Sequence, residues 1–284
     1  MKITIAKSAG FCFGVRRALK IAFKTVRLGA KVEMLGDIVH NEDVVREIEK
    51  TGIRKIKRLT KGNGKVLLIR AHGASKRTLE KANNLGYKIV DATCPKVKDI
   101  HKIAIEMEQK GYSIIVIGDK KHDEVHGIIG QIKSKVLVID SLTHIPLKVI
   151  KRIKKAAVLV QSTQEQEKVL TIVNTLKLHI GELKFFNTIC KPTRIKQEEI
   201  KYMPLQNDVM IIIGSKTSAN TKRLHDIAKS FNKRSYWVQS RAEIKPNWFK
   251  NARNIGVTSG ASTPDSTTKD IVNYIKQISP LKRH

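Results

Sequence analysis

The sequence predicts an α/β protein of three similar α/β units with parallel sheets, and three observations carry that prediction. Short, β-branched apolar runs recur along the chain, each followed by small or polar residues and then by a helical period. Strand-like and helix-like segments alternate over the full length with no low-complexity linker, which favours repeated α/β units over a β domain beside a helical one. Three cysteines divide the chain evenly: 82 residues separate Cys12 from Cys94, 96 separate Cys94 from Cys190, and 94 follow Cys190. Units are therefore expected over 1–94, 95–190 and 191–284, grouped around a centre.

The first run, KITIA (2–6), reads as a strand. After it Val15, Ala18, Leu19, Ala22, Phe23 and Val26 recur at three and four, one apolar stripe suited to covering a sheet. KVLLIR (65–70) and YKIVDAT (87–93) follow, and then YSIIVIG (112–118), KVLVID (135–140) and AAVLVQ (156–161). The last two runs are DVMIIIG (208–214) and NIGVTSG (254–260).

Composition narrows the function classes. With 284 residues, 41% of them hydrophobic, the chain can bury an ample core. No run of eighteen apolar residues occurs, and MKITIAKSAG lacks the apolar stretch of a signal peptide, so a cytoplasmic protein is expected. The 55 Lys and Arg against 25 Asp and Glu give a net charge of +30. Nucleic-acid binding is one reading of that charge. However, the basic residues are spread along the chain, and Lys outnumbers Arg 40 to 15, although Arg is the side chain suited to bidentate base and phosphate contacts. A solvated surface that attracts an acidic redox partner is the favoured reading, with no specific nucleic acid and no membrane as partners.

Three cysteines without a C-x-x-C pair do not make a disulfide framework, which leaves thiolate ligands or reactive thiols. Each lies just past a strand and just before a helix, in KITIAKSAGFCFGVRRAL, YKIVDATCPKVKDI and LKFFNTICKPTRIKQ. Gly10 and Gly14 flank Cys12, while Pro95 and Pro192 follow the other two where a first helical turn accepts proline. Three buried small hydrophobes would be the bland reading, but it leaves the shared setting unexplained. A strand-to-helix turn aims free N–H groups and the helix dipole at the sulfur, which favours the thiolate. Three units about a centre could gather the three thiolates on a [4Fe-4S] cluster, leaving one iron without a protein ligand. A Cys3His zinc site is the competitor, and it normally uses short knuckles that are absent here.

Ligands of parallel α/β folds gather beyond the carboxyl ends of strands. There the sequence offers His40, His72, His122, Glu124, Ser162, Thr163, Ser218, Asn220 and Ser262. Imidazoles, hydroxyls, amides and helix-start N–H groups are what diphosphate oxygens need. Singly, each is as readily a surface histidine or an N-cap. Glu124 is the only carboxylate in the set without an evident capping role, which makes it the candidate proton donor. HDEVH also suggests a zinc hydrolase, but Asp123, not a glutamate, follows the first histidine, and no distant third ligand is evident.

The segments AGFCFGV, VHN, AHGAS, DATCP, HDEVHG, QST, GSKTSAN and GVTSGASTPD occur in an order that resembles the LytB family, the 4-hydroxy-3-methylbut-2-enyl diphosphate reductases of isoprenoid biosynthesis by the non-mevalonate pathway. The resemblance covers essentially the whole chain. It implies a trefoil of three α/β units around a central [4Fe-4S] cluster held by Cys12, Cys94 and Cys190, with the substrate hydroxyl at the open iron. Glu124 is implied as the proton source and Ser162 as the residue that orients the hydroxyl. His40, His72, His122, Ser218, Asn220 and Ser262 are implied to grip the diphosphate. Two electrons from a ferredoxin or flavodoxin, with two protons, would then release water and give isopentenyl and dimethylallyl diphosphate.

Four positions depart from the family's usual pattern. Ser162 stands where threonine is common, and Ala219 replaces a second serine, so only its backbone N–H can reach phosphate. Asp123 replaces a frequent proline, and Lys196 precedes Gln197 where arginine is usual. These changes bear on affinity and rate more than on reaction type.

Overall fold

The computed structural model describes residues 1–278. Its strands are β1 (Lys2–Ile5), β2 (Val32–Leu35), β3 (Arg54–Ile56), β4 (Val66–Ile69), β5 (Lys88–Asp91) and β6 (Ser113–Ile117). They continue with β7 (Leu137–Ile139), β8 (Lys155–Val160), β9 (Glu182–Phe185), β10 (Val209–Ile213), β11 (Ser235–Val238) and β12 (Asn254–Ser259). The helices are α1 (Phe13–Arg27), α2 (Glu42–Lys50), α3 (Lys76–Asn84), α4 (Pro95–Gln109) and α5 (Asp123–Ile129). After them come α6 (Leu147–Ile150), α7 (Gln166–Lys177), α8 (Lys191–Gln206), α9 (Ala219–Phe231) and α10 (Asp265–Ile278).

All described strand pairs are parallel, and they form three four-stranded sheets with orders β3-β2-β4-β5, β7-β6-β8-β9 and β11-β10-β12-β1. The predicted α/β class with three similar units is therefore observed. One topology recurs: within each sheet the second strand in the chain, the first, the third and then a fourth lie side by side. In the third sheet β1 takes the fourth place, with Lys2 opposite Asn254 and Ile5 opposite Val257. Residues 2–5 thus pair outside the 1–94 stretch marked off by the cysteine spacing. By compactness the chain forms two units, one of Met1–Val15, His40–Val44 and the described residues from Lys191 onward, the other of Arg16–Val39 and Val45–Cys190.

Apolar alternation explains why the middle strands read as unbroken hydrophobic runs: both faces of a parallel sheet are covered. In the sheet containing β6 and β8, Ile115, Ile117, Val158 and Val160 pack with Val169, Ile172 and Leu176 of α7. The neighbouring residues Ile114, Val116, Ala157 and Leu159 face the other way, onto Ile100 and Ala104 of α4 and Val125 and Ile128 of α5. Likewise Val209, Ile211 and Ile213 of β10 pack with Ile271 and Ile275 of α10, while Met210 and Ile212 meet Ile200 and Met203 of α8 and Leu224 of α9. Among the described residues no helix is long and apolar enough to cross a membrane.

Candidate functional site

Each cysteine immediately follows the loop after the fourth strand of one sheet and precedes a helix: Cys12 lies before α1, Cys94 before α4 and Cys190 before α8. None is in a disulfide, and all three are partly exposed. A single backbone device holds all three. The N–H of Cys94 donates to the carbonyl of Ala71 at 2.9 Å, that of Cys190 to Ser162 at 3.0 Å, and that of Cys12 to Ala261 at 3.0 Å. These bonds carry the parallel ladder past the strand ends, and each acceptor is either a predicted substrate contact, Ser162, or the residue just before one, His72 and Ser262.

In the unit of Arg16–Val39 and Val45–Cys190, Cys94 occupies the N-cap of α4, with Pro95 at the first helical position. The turn before it is fixed twice. Asp91 Oδ1 accepts from the Thr93 N–H at 2.9 Å, and Arg17 Nη1 donates to the Thr93 carbonyl at 3.0 Å.

The same unit brings Glu124 and Ser162 together. Glu124 is buried, with 2% of its surface exposed. Its Oε1 accepts from the Ser162 N–H at 2.6 Å and its Oε2 from the Ser162 Oγ at 2.7 Å. Ser162 thus binds the carboxylate through its amide and hydroxyl and the Cys190 amide through its carbonyl. His122 caps α5, accepting from the Glu124 N–H at its Nδ1, 3.1 Å away. The rings of His72 and His122 meet edge to face with centroids 5.5 Å apart. Thr163 serves structure, accepting from Gln161 Nε2 at 3.0 Å.

In the other unit Ser262 Oγ donates to the carbonyl of His40 at 3.0 Å, which ties the GASTPD turn to the VHN segment. Ser218 caps α9 by accepting from the Thr221 N–H, so the helix opens at Ala219 and Asn220 with its N-terminal amides presented. Asn220 is buried, and its Nδ2 has no hydrogen-bond partner among the described residues, an orphan donor of the kind a ligand oxygen satisfies. Gly10, at φ +93°, allows the tight turn before Cys12 and donates to Ser259 Oγ at 2.6 Å.

Lys196, noted in the sequence only as a departure, is a buried residue whose Nζ donates to the carbonyl oxygens of Ser8 and, at 3.0 Å, Ser259, pinning the loop that leads to Cys12. Burial pushes its pKa down to about 8, opposed by the nearby charges of Cys12, Glu199 and Asp265. Its role was hidden in the sequence because a lysine in a helix rich in charged residues reads as solvated surface.

Comparison with known proteins places the chain in a family. The sequence profile of the LytB protein family matches residues 3–276. A 4-hydroxy-3-methylbut-2-enyl diphosphate reductase of Geotalea uraniireducens is 37% identical, the match covering 100% of each chain. The enzyme of that name from Aquifex aeolicus is 35% identical over 97% of this chain and 96% of its own. The solved structure of an (E)-4-hydroxy-3-methyl-but-2-enyl diphosphate reductase, described as the terminal enzyme of the non-mevalonate pathway, is 35% identical and superposes with a TM-score of 0.71 over 97% of this chain and 99% of that one. The E-1-hydroxy-2-methyl-but-2-enyl-4-diphosphate reductase of Plasmodium falciparum, 27% identical, gives 0.89 over 97% and 88%. With the profile matched nearly end to end and full-length relatives well above 30% identity, the chain belongs to the LytB protein family.

Proposed function

We propose that this chain is a 4-hydroxy-3-methylbut-2-enyl diphosphate reductase that removes the allylic hydroxyl of its substrate to give isopentenyl and dimethylallyl diphosphate. One observation carries the reading: the same amide-to-carbonyl bond joins each of three unbridged cysteines to a strand tip that bears, or directly precedes, a polar side chain suited to the substrate. Family membership supplies the substrate class.

The donor set suits an iron-sulfur cluster. Three thiols at strand-to-helix turns, partly exposed and lacking disulfide partners, are sulfur donors of the kind that binds iron. Cys12, Cys94 and Cys190 would hold a [4Fe-4S] cluster. When bound, it supplies a redox centre and one iron without a protein ligand. The net reaction adds two electrons and two protons, breaks the allylic C–O bond and releases water.

The chain's own residues bind, orient and move protons. With its hydroxyl proton directed at Glu124, Ser162 keeps oxygen lone pairs free to accept from the substrate hydroxyl and orient it. Glu124, one hydrogen bond from the Ser162 Oγ, donates in its protonated form the proton that the departing hydroxyl takes. Serine in place of threonine retains the hydroxyl, and its commitment to Glu124 restricts the rotamer that β-branching would otherwise fix. The residues proposed to bind the diphosphate are His40, His72, His122, Ser218, Asn220 and Ser262, with the Ala219 N–H. Electrons come from an acidic ferredoxin or flavodoxin drawn to a surface of net charge +30.

Glu124→Gln in anaerobically reconstituted enzyme is the test. The amide keeps shape and burial but has no proton to donate, so cluster absorbance and diphosphate affinity persist while turnover falls by at least about a hundredfold. Turnover at the wild-type rate in that variant would assign the proton to another group.

A further inference from the structure

Arg70 ends the strand run of β4 two residues before His72, and its Nη1 donates to Asp123 Oδ2 at 2.6 Å with the side chains 21% and 31% exposed. The pair lies in the wall of a cavity of about 310 Å³ that also includes Gly73 and Gly127. Space for it is made by Gly36 beyond β2. A Cβ there would stand 2.7 Å from Arg70 Nη1, and the residue's φ of +77° is one that glycine adopts without cost.

Asp123 is the first residue of α5, directly after the capping His122 and directly before Glu124. A proline at a first helical position fixes φ by its ring. Aspartate leaves φ free but offers an anion, which suits the positive end of a helix and which a cation can hold. At this position an ion pair does the work of a covalent restraint. It joins the tip that carries His72 to the helical turn that carries His122 and Glu124.

We propose that Arg70 and Asp123 are a positioning pair, setting the first turn of α5 so that Glu124 stays aligned on Ser162 and His122 on His72. The inference rests on the reading of Glu124 as proton donor, and it adds two residues that act through Glu124 and His122. Misplacement of an acid by about 1 Å is enough to slow proton delivery severalfold while leaving substrate binding intact.

The experiment compares reconstituted wild type with R70Q, D123N and the double variant, reading steady-state kinetics, melting temperature and hydrogen exchange over 119–131. Each single variant should lower kcat about five- to tenfold with KM within about twofold, and the double variant should fall no further than the worse single. Exchange over 119–131 should rise in all three while the melting temperature stays close to wild type. Singles with wild-type kcat and exchange overturn the proposal. So do losses that multiply in the double variant or that follow a drop in melting temperature, because either marks a general structural role. Inactive wild-type protein would refute the reductase reading, and the exchange data would then still decide whether the pair holds the turn.

Discussion

Replacing His101 by glutamine should flatten the pH dependence of stability. The ring projects from α4 against two glycines: a Cβ on Gly73 would meet its Cε1 at 3.0 Å, and one on Gly127 its Nε2 at 3.4 Å. Nε2 is buried without a hydrogen-bond partner among the described residues. Charging such a ring means desolvating a cation, and burial pushes its pKa down to about 4, with Asp91 opposing and Lys98 reinforcing the shift. Unfolded, the same histidine titrates near 6.5. Between these values the unfolded chain binds a proton that the folded chain refuses. The stability contribution is therefore complete above about pH 6.5 and is lost as pH falls toward 4. Linkage between the two values gives a loss of about 2 kcal/mol on going from about pH 7.5 to about pH 5, and about 3 kcal/mol in full. Urea unfolding followed by circular dichroism, on wild type and His101→Gln at both pH values, measures it. The wild type should lose about 2 kcal/mol more than the variant. Equal losses would show that His101 is not the group whose burial is being titrated.

Asn220→Ala removes the orphan donor at the start of α9. Titration calorimetry with inorganic diphosphate should show affinity about tenfold weaker, the scale of one hydrogen bond to a charged oxygen, and unchanged affinity would take Asn220 out of the site. Turnover driven by an acidic flavodoxin should fall steeply as sodium chloride is raised from about 50 to about 300 mM, because the screening length shortens across that range. A flat response would separate the +30 charge from electron delivery.

The eight runs read from the sequence are all strands. β4, β6, β8, β10 and β12 are almost wholly buried, as strands covered on both faces are, whereas β1 and β5 are largely exposed edge strands legible from their short β-branched runs. The remaining strands lie where that signal is broken. β2 carries Glu33, a buried carboxylate bound by Tyr87 Oη and by Lys65 Nζ at 2.9 Å. β3 is three residues long and opens with two exposed cations, while β9 and β11 are short, with β9 visible only as the context of Cys190. The pairing of β1 with β12 joins residues some 250 apart, and no local pattern encodes it. The site was legible as a set of polar strand tips, since residue type and position relative to a strand end are local properties. The bonds among them are not local. That Ser162 takes both oxygens of Glu124 and also holds the Cys190 amide depends on sheet register, and the burial of Lys196 and His101 depends on packing from elements far away in the chain.

Iron and acid-labile sulfide, assayed on anaerobically reconstituted wild type beside Cys12→Ser, Cys94→Ser and Cys190→Ser, test most directly whether three distant thiols serve a single cluster. The account predicts about four of each per wild-type chain, a brown protein, and a marked loss of both from every one of the three variants. Colourless protein carrying zinc, or full iron and sulfide in any single variant, would contradict it.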